Sequence, residues 1–308
     1  MKPLKLRAAF KDYLWGGTKL NEQYGKASGL ERTAESWELS VHPDGLCTIA
    51  ETGQSLADFI AADPTVLGTT RSSDELPILV KLIDAADDLS VQVHPNDEQA
   101  REWEGENGKT EMWYVIEAEP DAYITYGVKK SVTVEDLTKA IRENTVVDLL
   151  DRVPSRAGMV FFVEAGTIHA IGKGNLIAEI QQNSNVTYRL YDYDRRDRFG
   201  NLRPLHVDKG VRAATLTPTT PVAPVPEGKG IRLLSKCPYF EVRELTVDGE
   251  IARICREESY HYLLVVNGEV AIDDSLLTAG ESLFLCAGSG EYTVTGNGTV
   301  LLVSNPSM

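Results

Sequence analysis

Two of the chain's five histidines stand where they could hold a metal. In VQVHP, Gln92 and His94 are two residues apart, so on a strand both side chains leave the same face. His169 follows the turn AGT at the start of another strand pattern, and Glu111 opens a third just after GKT. Two imidazole nitrogens, one carboxylate and one amide oxygen are a workable four-donor shell for zinc or a similar divalent ion. An amide is unusual in a closed structural site, and a mixed shell of low charge suits an open catalytic one. The four positions are spread over 92–169, so spacing alone does not assemble them. His94 before Pro95 reads equally as a turn residue, and Glu111 as a solvated strand end.

The elements that must position these residues read mostly as short strands. PILVKLIDA (77–85) is an apolar run of buried-strand length, LSVQVHP (89–95) alternates with period two, and EMWYVIEA (111–118) is rich in aromatic and β-branched residues. VFFVEAGTIHAIG (160–172) and NLIAEIQQNSNVTYRLYDYD (175–194) add two more strands or strand pairs. Strands of this length with turn residues between them predict a sandwich or jelly roll. Two segments predict helix. One covers 55–64, with Ser55 as N-cap and Pro64 as stop; the other covers 133–154, opening at Thr133 and ending before Pro154, as one helix or two short ones. TLTPTTPVAPVPEGKG (215–230) reads as an extended linker, and strand patterns follow it to the C-terminus.

An internal repeat crosses that linker. AGMVFFVEAGTIH (157–169) aligns with AGESLFLCAGSGE (279–291), with five of thirteen positions identical. EMWYVIEAEPDAYI similarly resembles HYLLVVNGEVAI. Two copies of one β-barrel unit, the first with a small helical insertion, is the natural reading. Similar strand–turn–strand patterns in any all-β chain are the alternative. The second copy carries Glu291 where the first has His169, and His261 where the first has Glu111. Metal chemistry in the first copy is therefore not expected in the second.

Composition narrows the function classes. Of 308 residues, 42% are apolar and 25% charged, which supports a sizeable core and excludes wholesale disorder. Lys and Arg number 31 against 46 Asp and Glu, a net charge of −15. Such a chain is a poor partner for nucleic acid or an anionic membrane, though a locally positive site can still take a small anion. No run approaches the roughly 20 apolar residues of a membrane span, and the N-terminal segment has no signal-peptide core. Cys47, Cys237, Cys255 and Cys286 are scattered without a CxxC pair and read as reduced thiols of a cytoplasmic protein.

LSVQVHPND, GKTEMWYV, EAGTIHAI and EIQQNSNVTYRLYDYDR occur in this order, preceded by WGG (15–17) and ESWELSVHPDG (35–45). Together they resemble the type I phosphomannose isomerases in their short bacterial form, over residues 5–305. The resemblance implies a mainly β protein of two cupin (jelly-roll) barrel units. It implies an enzyme with one Zn2+ per chain that interconverts mannose 6-phosphate and fructose 6-phosphate through an enediol. The implied metal ligands are Gln92, His94, Glu111 and His169. The implied catalytic residues are Arg189, Lys109 and Glu179, and the implied substrate-binding residues are Ser90 and Arg195. The expected division is a catalytic cupin domain at 1–214 with the two helical segments, the linker at 215–230, and a degenerate cupin-like domain at 231–308. A monomer acting on a small sugar phosphate is the expectation.

Each assignment has a plainer counterpart. Lys109 sits in an ENGK loop and reads as a solvated lysine; Arg189 reads as a surface strand residue paired with Asp192 or Asp194; Arg195 and Arg196 read as a solvated turn. One position departs from the family pattern: Asn185 stands four residues before Arg189, where many relatives carry Asp, and an amide cannot take up a proton. A dication with Lys109, Arg189 and Arg195 would outweigh Glu111 and Glu179 and suit a phosphate. The alternative functions are a non-catalytic cupin that binds sugar phosphates and a cupin metalloenzyme acting on another sugar phosphate.

Overall fold

The structure is a computed structural model that describes residues 2–196, 200–220, 222 and 228–306. Of the expected linker, positions 221 and 223–227 lie outside the described residues. The chain forms two compact units: Asp12–Gly17 with Ile83–Pro224, and Met1–Lys11 with Thr18–Leu82 and Val225–Met308. No helix among the described residues is long and apolar enough to cross a membrane. No disulfide joins the four cysteines.

The unit that holds the candidate site is built on antiparallel strands. Five of them form one sheet in the order Tyr188–Tyr191, Val91–Val93, His169–Ile171, Tyr123–Val128, Leu150–Pro154. Three others pair in the order Val160–Val163, Glu111–Ala118, Asn175–Gln182. Alternation sets the use of each face. Val91, Val93, Ala170, Tyr188 and Leu190 turn to a core that also takes Leu137, Ile141 and Val211 from the helices Val134–Arg142 and Val207–Ala213. Gln92, His169 and Arg189, the residues between, are left for the other face. The class is mainly β, as expected, but the expected barrels are not closed: each sheet runs from one edge strand to a different one. Two stacked sheets can bury their facing sides without pairing their edges.

The helical expectations need adjustment. At 55–64, Ser55 accepts a hydrogen bond from the Asp58 amide at 3.0 Å and caps Leu56–Ala62; Pro64 then opens a 3-10 turn, Pro64–Leu67. At 133–154 the helix is shorter. Thr133 and Asp136 form a reciprocal cap, and the helix ends at Arg142 just before Asn144, whose φ of 57° is left-handed. A 3-10 turn, Val146–Leu149, follows, and Leu150–Pro154 is an edge strand rather than helix. The helix Asp97–Glu104, capped reciprocally by Asn96 and Gln99, was legible in NDEQ but not anticipated.

In the other unit, one sheet runs Gly230–Lys236, Glu241–Cys255, Gly290–Ser304, His261–Ile272, Ser275–Thr278, with Ser282–Leu285 also on His261–Ile272. Its core is aliphatic, with Leu245, Leu263, Val265, Leu283 and Val300 fully buried or nearly so. Leu4 bridges to Phe284, and Ala9–Lys11 pairs with Glu35–Leu39. The repeat seen in the sequence is matched in register. Val163 lies opposite Glu111, and Leu285, its counterpart, lies opposite His261. Gly158 and Gly280, and Gly166 and Gly288, all have positive φ at the equivalent turns.

Candidate metal centre and active site

Cross-strand pairing brings the scattered donors together. His169 lies opposite Gln92, and Gln92 lies opposite Arg189, so one row of three adjacent strands carries all three side chains on one face. On the other strands, Glu111, Trp113, Glu179 and Gln181 share a face, with Glu111 opposite Gln181 and Trp113 opposite Glu179. The two faces meet at the donors. His169 Nε2 is 3.4 Å from Glu111 Oε1, and His94 Nε2 is 3.7 Å from Glu111 Oε2. Ligand atoms of His94, Glu111 and His169 all lie within 4.8 Å of one another, and all three residues are buried. Gln92 Nε2 is 3.4 Å from His169 Nε2, so its amide belongs to the same cluster.

The imidazoles are oriented by backbone carbonyls. His94 Nδ1 donates to Val186 O at 2.8 Å, and His169 Nδ1 donates to Thr167 O at 2.8 Å. Each ring thus carries its proton on Nδ1 and points an Nε2 lone pair inward, the outer-partner arrangement of histidine metal ligands. The two Nε2 atoms are 3.2 Å apart. A tetrahedral zinc with Zn–N bonds of about 2.0–2.1 Å sets its nitrogens about 3.3 Å apart, so the donors fit such an ion. Burial, reinforced by Lys109, pushes the His169 pKa down to about 4, which keeps the ring neutral and able to donate its lone pair at neutral pH.

Lys109 is not a solvated loop residue. It is 5% exposed, and its Nζ lies 2.9 Å from Glu111 Oε2 and 3.2 Å from His94 Nε2. The turn that delivers it is pinned at several points. Gly108 N donates to Asp97 Oδ1 at 2.9 Å, Lys109 N to Pro95 O at 3.0 Å, and Thr110 N to Gln182 Oε1 at 2.8 Å. A Cβ at Gly108 would lie 2.5 Å from the Asp97 nitrogen, so only glycine allows this approach. Glu179 is 3% exposed; its Oε2 accepts from Trp113 Nε1 at 2.9 Å and its Oε1 lies 3.9 Å from Lys109 Nζ. Ser90 is buried two residues before Gln92.

The arginines form a separate cluster along the row. Arg189 is half-buried, and its Nη1 donates to Pro204 O at 3.0 Å. Arg195 and Arg203 both hold Asp192, at 2.6 and 2.5 Å. Although burial pushes the Asp192 pKa up, hydrogen bonds from these two guanidiniums hold it below the ordinary value. Burial, then Arg203, lowers that of Arg189, with Arg195 adding to the effect. Arg203 was missed in the sequence; the arginine-rich stretch from Arg195 to Arg203 was its only signal. Trp113 was missed too, because an aromatic residue in a strand reads as core. Asn185 sits beside Val186, whose carbonyl fixes His94.

Comparison with known proteins points to one family. A family model described as "Phosphomannose isomerase type I, catalytic domain" matches residues 4–144, and one described as "Mannose-6-phosphate isomerase, cupin domain" matches residues 231–305. Mannose-6-phosphate isomerase ManA of Bacillus subtilis (strain 168) is 37% identical over 308 residues, covering 96% of each chain. A crystal structure of the mannose 6-phosphate isomerase from Bacillus subtilis superposes with a TM-score of 0.90 at 34% identity, covering 98% of this chain and 99% of that one. A mannose 6-phosphate isomerase solved in a zinc-bound form shares the fold at 20% identity, with a TM-score of 0.80 and full coverage of both chains. With more than a third of its residues identical to those of a curated relative over nearly the whole length of both, the chain belongs to the type I phosphomannose isomerase family.

Proposed function

We propose that this protein is a zinc-dependent isomerase that interconverts mannose 6-phosphate and fructose 6-phosphate. The observation that carries this reading is the inward-facing pair of imidazole lone pairs, 3.2 Å apart, with a buried carboxylate, a lysine and a second carboxylate within reach. Gln92, His94, Glu111 and His169 would hold the ion. When bound, it supplies Lewis-acid polarisation of the sugar oxygens at C1 and C2.

The remaining chemistry belongs to the protein. In the open-chain aldose the C2–H bond breaks, a C1–H bond forms, and a proton passes from O2 to O1; the intermediate is an enediol. Glu179 Oε1 takes the C2 proton and returns it to C1, with Oε2 held still by Trp113. Lys109 Nζ steadies negative charge developing on the sugar oxygens. Arg189 grips the phosphate, and Arg195 and Arg203 line the same anionic end through Asp192. Ser90 donates a hydroxyl hydrogen bond to the substrate. The reading puts one zinc on each chain and the enzyme in the cytoplasm as a monomer, with a sugar phosphate as its only partner.

The test is a coupled assay for fructose 6-phosphate formed from mannose 6-phosphate, before and after chelation and with zinc restored. Activity lost on chelation and regained with zinc is expected. A folded, zinc-loaded protein without turnover would overturn the reading and favour a binding role or another sugar phosphate.

A further inference from the structure

The unit containing the second copy of the repeat has a cavity of about 890 Å³. Its lining includes the residues at the strand positions of the metal shell, but not on one face: His261 shares the core-facing side with Arg253 and Tyr292, while Ile254 and Glu291 lie on the other. Gln92 lies opposite His169, and Ile254 lies opposite Glu291, the residue that aligns with His169. Two residues further along these strands, His94 corresponds to Arg256. Glu111 lies opposite Val163, and His261 lies opposite Leu285, the residue that aligns with Val163. All four counterparts, Ile254, Arg256, His261 and Glu291, line the cavity. Among the described residues the cluster of metal-ligating side chains is His94, Glu111 and His169, and no equivalent cluster forms here.

The charged residues of the lining point to an anionic ligand. Two guanidiniums line the cavity: Arg253, which hydrogen-bonds the Tyr292 hydroxyl, and Arg256, which is exposed just past the end of the same strand. The Nε of Arg253 is buried and has no hydrogen-bond partner among the described residues, which leaves a donor to be satisfied. Arg243 also lines the cavity, but it is held by Glu241 at 2.7 Å. His261 donates or accepts through Nδ1 with the Tyr292 hydroxyl at 2.9 Å, and burial followed by Arg253 lowers its pKa to about 4. It is therefore neutral at physiological pH, and the positive charge of this wall comes from Arg253 and Arg256. Glu258 and Glu291 on the lining are acceptors suited to sugar hydroxyls. The volume is that of a small-molecule site.

We propose that this cavity is a second, metal-free ligand site for a phosphorylated sugar, with the phosphate on Arg253 and Arg256 and the hydroxyls on Glu258 and Glu291. Guanidiniums meet phosphate in paired hydrogen bonds, so two of them supply most of the recognition. The site lies outside the cluster proposed for isomerisation and does not require that cluster to act.

Equilibrium dialysis of the zinc-loaded full chain with radiolabelled fructose 6-phosphate tests this. Wild-type protein is expected to bind two molecules per chain, the Arg189→Ala variant one, and an Arg253→Gln, Arg256→Ala double variant one. The molecule retained by Arg189→Ala should be displaced by inorganic phosphate. One site in the wild type that disappears in Arg189→Ala would overturn the proposal and leave the isomerase reading intact. One site that disappears only in the double variant would support it and count against the isomerase site. Two sites in a double variant that still turns over substrate would also overturn it. If the double variant does not fold, the wild-type and Arg189→Ala stoichiometries decide between these outcomes.

Discussion

His94 Nε2 and His169 Nε2 face each other at 3.2 Å while both Nδ1 atoms are bound to carbonyl oxygens. Two lone pairs that close repel unless a cation lies among them. Lys109 Nζ, 3.2 Å from one of them and 2.9 Å from Glu111, supplies positive charge to the cluster. Three strands or strand ends, from different stretches of chain, are held to this geometry. Backbone hydrogen bonds that belong to the fold itself fix both rings, and the proposed dication would find its imidazole donors already oriented.

Metal binding should therefore be linked to stability. Chelation is expected to lower the melting temperature, and zinc in excess should raise it again, since a ligand at a hundredfold its dissociation constant stabilises by about 2.7 kcal/mol. Scanning calorimetry with and without zinc checks this. An unchanged transition would mean that the four donors do not hold the ion.

Arg189→Ala should lower kcat/KM by a factor of about 10² or more, because it removes the proposed charge-assisted guanidinium hold on the phosphate. Zinc content should stay the same, since Arg189 sits beside Gln92 but contributes no donor to the ion. Metal analysis and the coupled assay on one preparation separate the two. Normal turnover in this variant would remove Arg189 from the site.

Glu179→Gln keeps an oxygen for the Trp113 N–H but cannot carry a proton. Turnover should fall by about 10²–10⁴, the range of general acid–base catalysis, with KM little altered. Trp113→Phe removes the hydrogen bond that holds Oε2 and should reduce kcat by a smaller factor, about tenfold, again with zinc retained. If Trp113→Phe changed KM and not kcat, the positioning role would be wrong.

Acid should destabilise the protein partly through His261. Its folded pKa of about 4 lies below the ordinary 6.5, with burial and then Arg253 as causes. Between these values the unfolded chain binds a proton that the folded chain refuses. The associated stability is fully present above pH 6.5 and is lost as the pH falls towards 4, to the extent of about 3 kcal/mol at 1.36 kcal/mol per unit. His261→Gln should flatten the pH dependence of the melting temperature across this window. An unchanged slope would show that His261 is not the group responsible.

Much of the site was legible in the chain. Strand periodicity put Gln92 and His94 on one side, and the same alternation around TYRLY left Arg189 opposite the face that buries Tyr188 and Leu190. Those are local facts, and local facts survive folding because the pleat repeats every two residues. The repeat was legible for the same reason: Gly158, Gly166, Gly280 and Gly288 mark turns that need positive φ. The resemblance of several ordered motifs named the family before any geometry was known. Tertiary structure decided the rest. That Lys109 is buried depends on Gly108 packing on Asp97, 11 residues away, and on Gln182 taking the Thr110 amide across 72 residues of chain. Which nitrogen of each histidine faces inward depends on carbonyls of Val186 and Thr167 that no side-chain pattern reveals. Open sheets instead of closed barrels, and an edge strand at Leu150–Pro154 instead of helix, follow from which edges find partners. A strand's own residues do not specify its neighbour; the register of the assembled sheet does.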